Sequence, residues 1–246
     1  MTIDKDDELV KLKAIGAICR QVLEAMGAMV RPGISTLELD NHAGRMFASV
    51  GARSAPKLAY DFPGHTCISV GTVVAHGIPN DKPLKEGQLV NIDVSAEKDG
   101  YFGDCGASFP VGKVSDEALA LLKATKEAQE AGMQAAKAGR QVAAIGRACT
   151  KVADRTGFKQ VTGLNSHGVG RWIHEGPDIP TIYDPTKTHR LRHGDVITVE
   201  PFLSTVSRRY REAPDGWSLV LTQGGLGAQF EHSFVVTNTG PIILTI

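Results

Sequence analysis

The residues whose chemistry stands out are carboxylates set inside apolar, strand-like runs. Within Leu84–Asp104, the run Leu89-Val90-Asn91-Ile92-Asp93-Val94-Ser95 alternates. Val90, Ile92 and Val94 share one face; Asn91, Asp93 and Ser95 share the other. Lys98-Asp99-Gly100 is a turn cluster, and Tyr101-Phe102-Gly103-Asp104 begins a return strand, so the stretch predicts a β-hairpin. A carboxylate among Val and Ile is costly unless something compensates it. Asp104 could face Asp93 across this hairpin, and a bound cation would compensate both. For this stretch alone the plain alternative is a solvated hairpin whose two acids face water. Glu200 lies in a second such run, Asp195–Phe202, and Glu231 in a third, Ala228–Val236. His167 stands in Asn165–Pro180, which is rich in Gly and His.

Asp93, Asp104, His167, Glu200 and Glu231 form an oxygen-rich donor set with one imidazole and no thiolate. Such a set favours Mn, Fe(II) or Co over structural zinc. Four carboxylates would balance two divalent cations. Carboxylates that bridge metals about 3.5–4 Å apart are one way to make a hydroxide nucleophile, because the cations lower the pKa of bound water.

The remaining composition narrows the class. The chain has 246 residues, 42% hydrophobic and 22% charged, as in a globular protein. Lys+Arg and Asp+Glu are both 27, which argues against nucleic acid or an acidic membrane surface as main partner. No apolar run is long enough to span a bilayer, and the acidic start MTIDKDDELVKLK lacks the apolar core of a signal peptide. Cys19, Cys67, Cys105 and Cys149 are scattered without a CxxC pair, so free thiols in a reducing cytosol are expected.

The elements that must position these residues follow from periodicity. Glu8–Val30 has helical spacing, closed by Arg31-Pro32-Gly33. Ser35-Thr36-Leu37-Glu38 fits a capping box that opens a helix to about Val50, with Gly51 beyond it. Residues 52–66 read as irregular, Cys67–Val70 as a short strand, and His76-Gly77-Ile78-Pro79 as a turn. Ser115–Ala138 and Gln141–Thr156 are further helices. Asp195–Phe202, Ser218–Thr222 and Gln229–Thr237 are further strands.

An internal repeat organises this order. Gly33 and Gly51 bracket one helix, and Gly139 and Gly157 another. An H-G-aliphatic triplet follows each: His76-Gly77-Ile78 and His167-Gly168-Val169. Then Leu84–Asp93 matches Leu191–Glu200, both ending in an acid, with Asn91 and Thr198 two positions earlier. Two helix–helix–strand units with acids in register predict a pseudo-twofold α/β fold whose acids converge between the halves. Two unrelated solvated acids would not be expected to recur in register.

The motifs AHGIP (75–79), NIDVSAEKDGYFGD (91–104), SHGVGRWIHEGP (166–177), TVEP (198–201) and QFEHS (229–233) resemble those of type I methionine aminopeptidases, in order and spacing, from about Asp7 to Leu244. The resemblance implies the pita-bread fold: one catalytic domain over 1–246, a central antiparallel sheet covered by helices, and halves of about 8–112 and 113–241. It implies two divalent metal ions, with Asp104 and Glu231 bridging them, Asp93 completing one and His167 with Glu200 the other. A metal-bound hydroxide would then remove the N-terminal methionine when the second residue is small. Glu200 would also shuttle the proton, His76 would contact the scissile amide, and His174 would hydrogen-bond the substrate carbonyl. Phe62, Cys67, Ile173 and Trp217 fall where the family lines its methionine pocket, and a soft thiol suits a thioether. The implied partners are N-termini of nascent polypeptides, with the ribosome near its exit tunnel a further candidate; a cytoplasmic monomer is expected, without nucleic-acid or membrane function. The spacing of Glu200 and Glu231 leaves no room for the type II insertion, and no zinc-finger extension precedes Glu8, as in the short bacterial form.

YDFPGHTC (60–67) departs from the commoner Gly-aromatic-Pro stretch followed by Lys-Ser. His65 replaces a small residue, Ile173 stands where an aromatic is common, and Cys105 follows Asp104 where Thr is usual. His42, His65, His189 and His193 read as surface residues, while His232 could buttress Glu231. Proline-directed peptidases share the fold but carry a large N-terminal domain and an R-x-E-D type ending; non-catalytic relatives lose metal ligands, and this chain keeps all five.

Overall fold

The structure is a computed structural model that describes residues 1–246, the side chain of Asp6 excepted. In chain order, helices α1 (Asp6–Met29) and α2 (Thr36–Ser49) precede a short strand β1 (Arg53–Ser54) and helix α3 (Ala55–Tyr60). Strands β2 (Cys67–Val70) and β3 (Val73–Ala75) lead into a long hairpin, β4 (Leu89–Lys98) and β5 (Tyr101–Pro110). Helices α4 (Asp116–Ala135) and α5 (Ala143–Thr156) follow, then β6 (Lys159–Gln160), β7 (Ser166–Gly168), β8 (Glu175–Ile179), β9 (Val196–Val199) and β10 (Phe202–Ser204). The chain closes with β11 (Tyr210–Glu212), β12 (Leu219–Leu221), β13 (Gly227–Gln229), β14 (Glu231–Val235) and β15 (Ile242–Ile243).

The central sheet runs β1-β4-β5-β14-β9-β7-β8, with β2 added on β4 and β15 on β14. Every pairing in it is antiparallel. Each half of the sheet carries its own helix pair. On the first, Leu12, Ile15, Val22 and Leu23 of α1 and Leu39 and Phe47 of α2 pack on Val90, Ile92 and Val94 of β4. On the second, Leu121 and Ala128 of α4 and Ile145 and Cys149 of α5 pack on Ile197, Val199 and Phe234. Alternation along β4 therefore sends one face into a helix-covered core and leaves Asn91, Asp93 and Ser95 on the other face. No helix among the described residues is long and apolar enough to cross a membrane.

Three expectations from the sequence are corrected. Residues 52–66 are irregular at 61–66 but not before: the Ser54 hydroxyl caps α3 by accepting from the Lys57 amide (3.3 Å), and Pro56 stands in the first turn, where its missing N–H costs nothing. Asp195–Phe202 is not one strand. It breaks at Glu200-Pro201 because proline cannot donate to the ladder, and Phe202 instead pairs with Gln229 in a small separate sheet. Gln229–Thr237 also breaks, at Phe230, and β13 and β14 belong to different sheets. Helix bounds shift modestly: α4 ends at Ala135 and α5 begins at Ala143.

Candidate metal centre and the adjoining cavity

The hairpin register decides how the first two acids meet. Asp93 stands opposite Gly106, and Asp104 opposite Ser95. The two carboxylates are therefore diagonal neighbours on one face rather than directly across from each other. Pairing of β5 with β14 places Glu231 opposite Gly106 as well. A Cβ at Gly106 would lie 2.4 Å from Gln229 Oε1, so a side chain there would displace the Gln229 amide. Pairing of β14 with β9 then brings in the Glu200 end of β9.

His167 arrives from β7. Its Nδ1 lies 2.9 Å from the Gly168 carbonyl, which can only accept, so the ring proton sits on Nδ1. Nε2 is left facing Glu200 Oε1 at 3.3 Å and Asp104 Oδ2 at 3.7 Å. One ligating atom each from Asp104, His167 and Glu231 lie within 4.8 Å of one another. The matched polar residues Asn91 and Thr198 both support this cluster. Thr198 Oγ1 donates to Glu200 Oε1 (3.4 Å) and accepts from the His167 amide (3.2 Å). Asn91 Nδ2 donates to Gln229 Oε1 (2.9 Å), and Gln229 Nε2 donates to Glu231 Oε2 (3.1 Å). Gln229, fully buried, is a functional neighbour that sequence reasoning missed; its only signal was its place two residues before Glu231 on the same side of the chain.

Burial, then the charge of Glu200, pushes the Asp93 carboxyl up to about 7. Burial and neighbouring carboxylates hold Asp104 and Glu231 well above the ordinary carboxylate range. On His167, burial pulls down, but its bond to Glu200 and that group's charge outweigh it, and its pKa is raised. Asp104 Oδ1 and Glu231 Oε1 are buried without a hydrogen-bond partner among the described residues. Orphaned carboxylate oxygens are expensive, and a divalent cation would satisfy both and relieve the repulsion. The donor set of oxygens with one imidazole fits that group.

A cavity of about 240 Å³ opens onto this cluster. Phe62, Cys67, Ile173 and Trp217 line it together with His76, His174, Asp93, Asp104, His167 and Glu200. Phe62 and Trp217 meet edge to face, with centroids 5.1 Å apart. Burial and the surrounding acids raise the Cys67 thiol well above its usual value, so it is a neutral thiol. Burial lowers His76, and burial with His167 and His76 takes His174 down to about 3. His76 holds a left-handed backbone (φ 54°) beyond β3, which turns its side chain toward the cavity. Pro56, Tyr60, Ala75 and Phe202 also line the space and were not anticipated.

The departures at 60–67 have structural partners. Asp40 of α2 accepts from the His65 amide (3.0 Å), the Thr66 amide (2.8 Å) and the Thr66 hydroxyl (2.9 Å). The His65 ring packs where a Cβ on Gly44 would collide at 2.6 Å. His65 and His42 are half-buried, and His189 and His193 are exposed. His232 does not buttress Glu231: strand alternation turns it to the opposite face, where its Nδ1 meets Thr245 Oγ1 at 2.7 Å.

A helix-covered antiparallel sheet that gathers four carboxylates and an imidazole beside an apolar slot defines a metal-centre hydrolase of the pita-bread fold. The chain belongs to metallopeptidase family M24, whose sequence pattern matches residues 10–238. It is 43% identical over 247 residues to methionine aminopeptidase 2 of Bacillus subtilis, covering 100% of this chain and 99% of that protein. Among solved structures, the methionine aminopeptidase of Rickettsia prowazekii superposes with a TM-score of 0.95 at 33% identity, each chain covered in full. The methionine aminopeptidase of Thermotoga maritima superposes with a TM-score of 0.96 at 30% identity, covering 100% of this chain and 99% of that one.

Proposed function

We propose that this protein removes the N-terminal methionine of polypeptides whose second residue is small. The observation that carries the reading is one cavity in which an apolar slot with a neutral thiol adjoins Asp104 and His167, with which Glu231 is clustered, and two carboxylate oxygens of that cluster are orphaned. Asp93, Asp104, His167, Glu200 and Glu231 would hold two divalent cations, Mn, Fe(II) or Co. When bound, such a pair supplies a water acidic enough to act as nucleophile near neutral pH. Glu200 takes the proton of the attacking water and passes it to the leaving amine. His174 donates to the substrate carbonyl as charge develops there, and His76 holds the scissile amide. Phe62, Cys67, Ile173 and Trp217 enclose the methionine side chain and exclude water from it. Residues 1–246 act as a single catalytic domain with halves of about 8–112 and 113–241, in the cytoplasm, on nascent N-termini.

The test is peptide cleavage with Mn, Co or Fe(II) supplied. Met-Ala-Ser should be cleaved and Met-Leu-Ser spared, EDTA should abolish activity, and added metal should restore it. Full activity after thorough metal stripping, or equal rates on the two peptides, contradicts the reading. Preference for Ala-Pro peptides would favour a proline-directed enzyme instead.

A further inference from the structure

Tyr60 lies in the stretch that departs from the family pattern, and its phenol oxygen is 2.6 Å from His174 Nδ1. The two rings also pack at a tilt, with centroids 5.5 Å apart and planes at 38°. These residues are 114 positions apart in sequence, yet both ends of the contact are anchored. Tyr60 is the last residue of α3. Asp61 follows in the left-handed conformation (φ 56°), with its amide on Lys57 O (3.2 Å) and the Phe62 amide on Pro56 O (3.3 Å). Opposite, Glu175 Oε1 accepts from the Arg171 and Trp172 amides (2.7 and 3.3 Å), and the Arg171 guanidinium donates to Glu8 Oε1 (2.7 Å). Trp172 packs on Phe102 at 5.3 Å. His174 is thus carried on a braced loop and meets a braced phenol.

A neutral imidazole has one proton for two nitrogens. With Nδ1 engaged by Tyr60, Nε2 is the nitrogen left for the cavity, and it has no hydrogen-bond partner among the described residues. A phenol O–H, with a pKa of about 10, is a stronger donor than a neutral imidazole N–H, and an imidazole nitrogen is a stronger acceptor than a phenol oxygen. Tyr60 therefore donates to Nδ1, and the single proton of the ring sits on Nε2. The direction of one hydrogen bond therefore sets whether His174 presents a donor or an acceptor to a bound molecule.

We propose that Tyr60 is a positioning residue: its hydroxyl donates to His174 Nδ1 and so fixes the Nε2–H tautomer that points a donor into the cavity. The proposal rests on the functional reading above only for its kinetic consequence. The tautomer itself is read on wild-type protein and Tyr60→Phe, both loaded with diamagnetic Zn²⁺, from the ¹⁵N shifts and long-range ¹H–¹⁵N pattern of His174. Wild type should show a proton on Nε2 and a hydrogen-bonded, unprotonated Nδ1; Tyr60→Phe should lose the Nδ1 hydrogen-bond signature. With Met-Ala-Ser, Tyr60→Phe should lose about tenfold or more in kcat, short of the ~10²–10³ that removing a donor outright costs. KM should change by less than about threefold and metal affinity should be unchanged. A proton on Nδ1 in wild type, an unaltered His174 pattern in the variant, or an unaltered kcat each overturns the proposal. Absence of wild-type cleavage would sink the functional reading instead, while the nitrogen spectra would still decide the tautomer.

Discussion

In the first half of the protein the Gly33 amide donates to Leu84 O (2.8 Å) and the Leu84 amide to Ile34 O (2.7 Å). In the second, the Gly139 amide donates to Leu191 O (2.8 Å) and the Leu191 amide to Arg140 O (2.9 Å). Gly87 and Gly194 hold φ of 87° and 89°, and each amide donates, at 2.9 Å, to the carbonyl just beyond the end of the neighbouring strand, Val111 after β5 or Val236 after β14. The scaffolds are copies down to single hydrogen bonds. Their histidines are not. Along β2 and β4, Ser69 stands opposite Asn91; along β7 and β9, Gly168 stands opposite Ile197, which puts His167 opposite Thr198. Since Asn91 and Thr198 are the matched residues, the counterpart of His167 is Ser69, not His76. The shared H-G-aliphatic triplet that suggested equivalence is a coincidence of local sequence. His76 lies just past β3, which pairs with β12. The lesson is that a duplicated frame supplies matched acids, while departures from the duplication supply the groups that differ in role.

The two matched acids give the largest test of this comparison. Glu200→Gln keeps shape but loses charge and basicity, and should cost on the order of 10³-fold or more in kcat. Retention within roughly tenfold of wild type, about 1.4 kcal/mol, would show that Glu200 carries neither metal nor proton.

Next come the two histidines. His167→Ala should weaken metal binding by about 10²-fold or more, since even groups that only support ligands are worth 10–100-fold. His76→Ala should still bind two metals at saturation but lose much of kcat, because a bond made in the transition state is gone. Calorimetric metal titration beside peptide kinetics separates them; loss of a metal from His76→Ala alone would reverse the assignment.

A third test uses the acids of both halves together. In metal-free protein the Asp93, Asp104 and Glu231 carboxyls are raised, Asp93 to about 7, and His167 is raised too. Between about 4, the unfolded carboxylate value, and about 7, the folded state then binds more protons than the unfolded one. Stability must fall as pH rises through that window. Chelator-treated protein should denature more easily at pH 8 than at pH 5, and added divalent metal should narrow the gap. Greater stability of the metal-free form at pH 8 would mean the carboxylates are not crowded.

The smallest expected effect lies in the helices. Ser35 caps α2 in a reciprocal box with Glu38 (3.1 and 2.8 Å), whereas Val142 precedes α5 without offering a side-chain cap. Ser35→Ala should lower stability by about 1 kcal/mol, a fall in Tm of roughly 2–4 °C for a chain of this size. No change in Tm would indicate that packing of α2 makes the cap redundant.

Much of this was legible in the linear chain. The β4–β5 hairpin follows from alternation and the Asp99-Gly100 turn, both with positive φ (54° and 80°). The box at Ser35 and the left-handed Gly157 closing α5 follow from the chemistry of single residues. The four acids and one imidazole proposed as ligands, and the four pocket residues, meet at one place. What escaped were α3, hidden because Pro56, Pro63 and Gly64 read as loop signals, and the strand breaks at Pro201 and Phe230, hidden because apolar runs continue through them.

The sequence by itself determined each strand's inward and outward faces, the helix ends, and the donor types available, because these depend on neighbours within a few residues. Only the tertiary structure decided which acids touch, that Ser69 and not His76 answers His167, and that Tyr60 meets His174. Those contacts depend on strand register and on packing between elements far apart in the chain. A shift of one residue in β4 against β5 would turn Asp93 into the core and Val90, Ile92 and Val94 out of it.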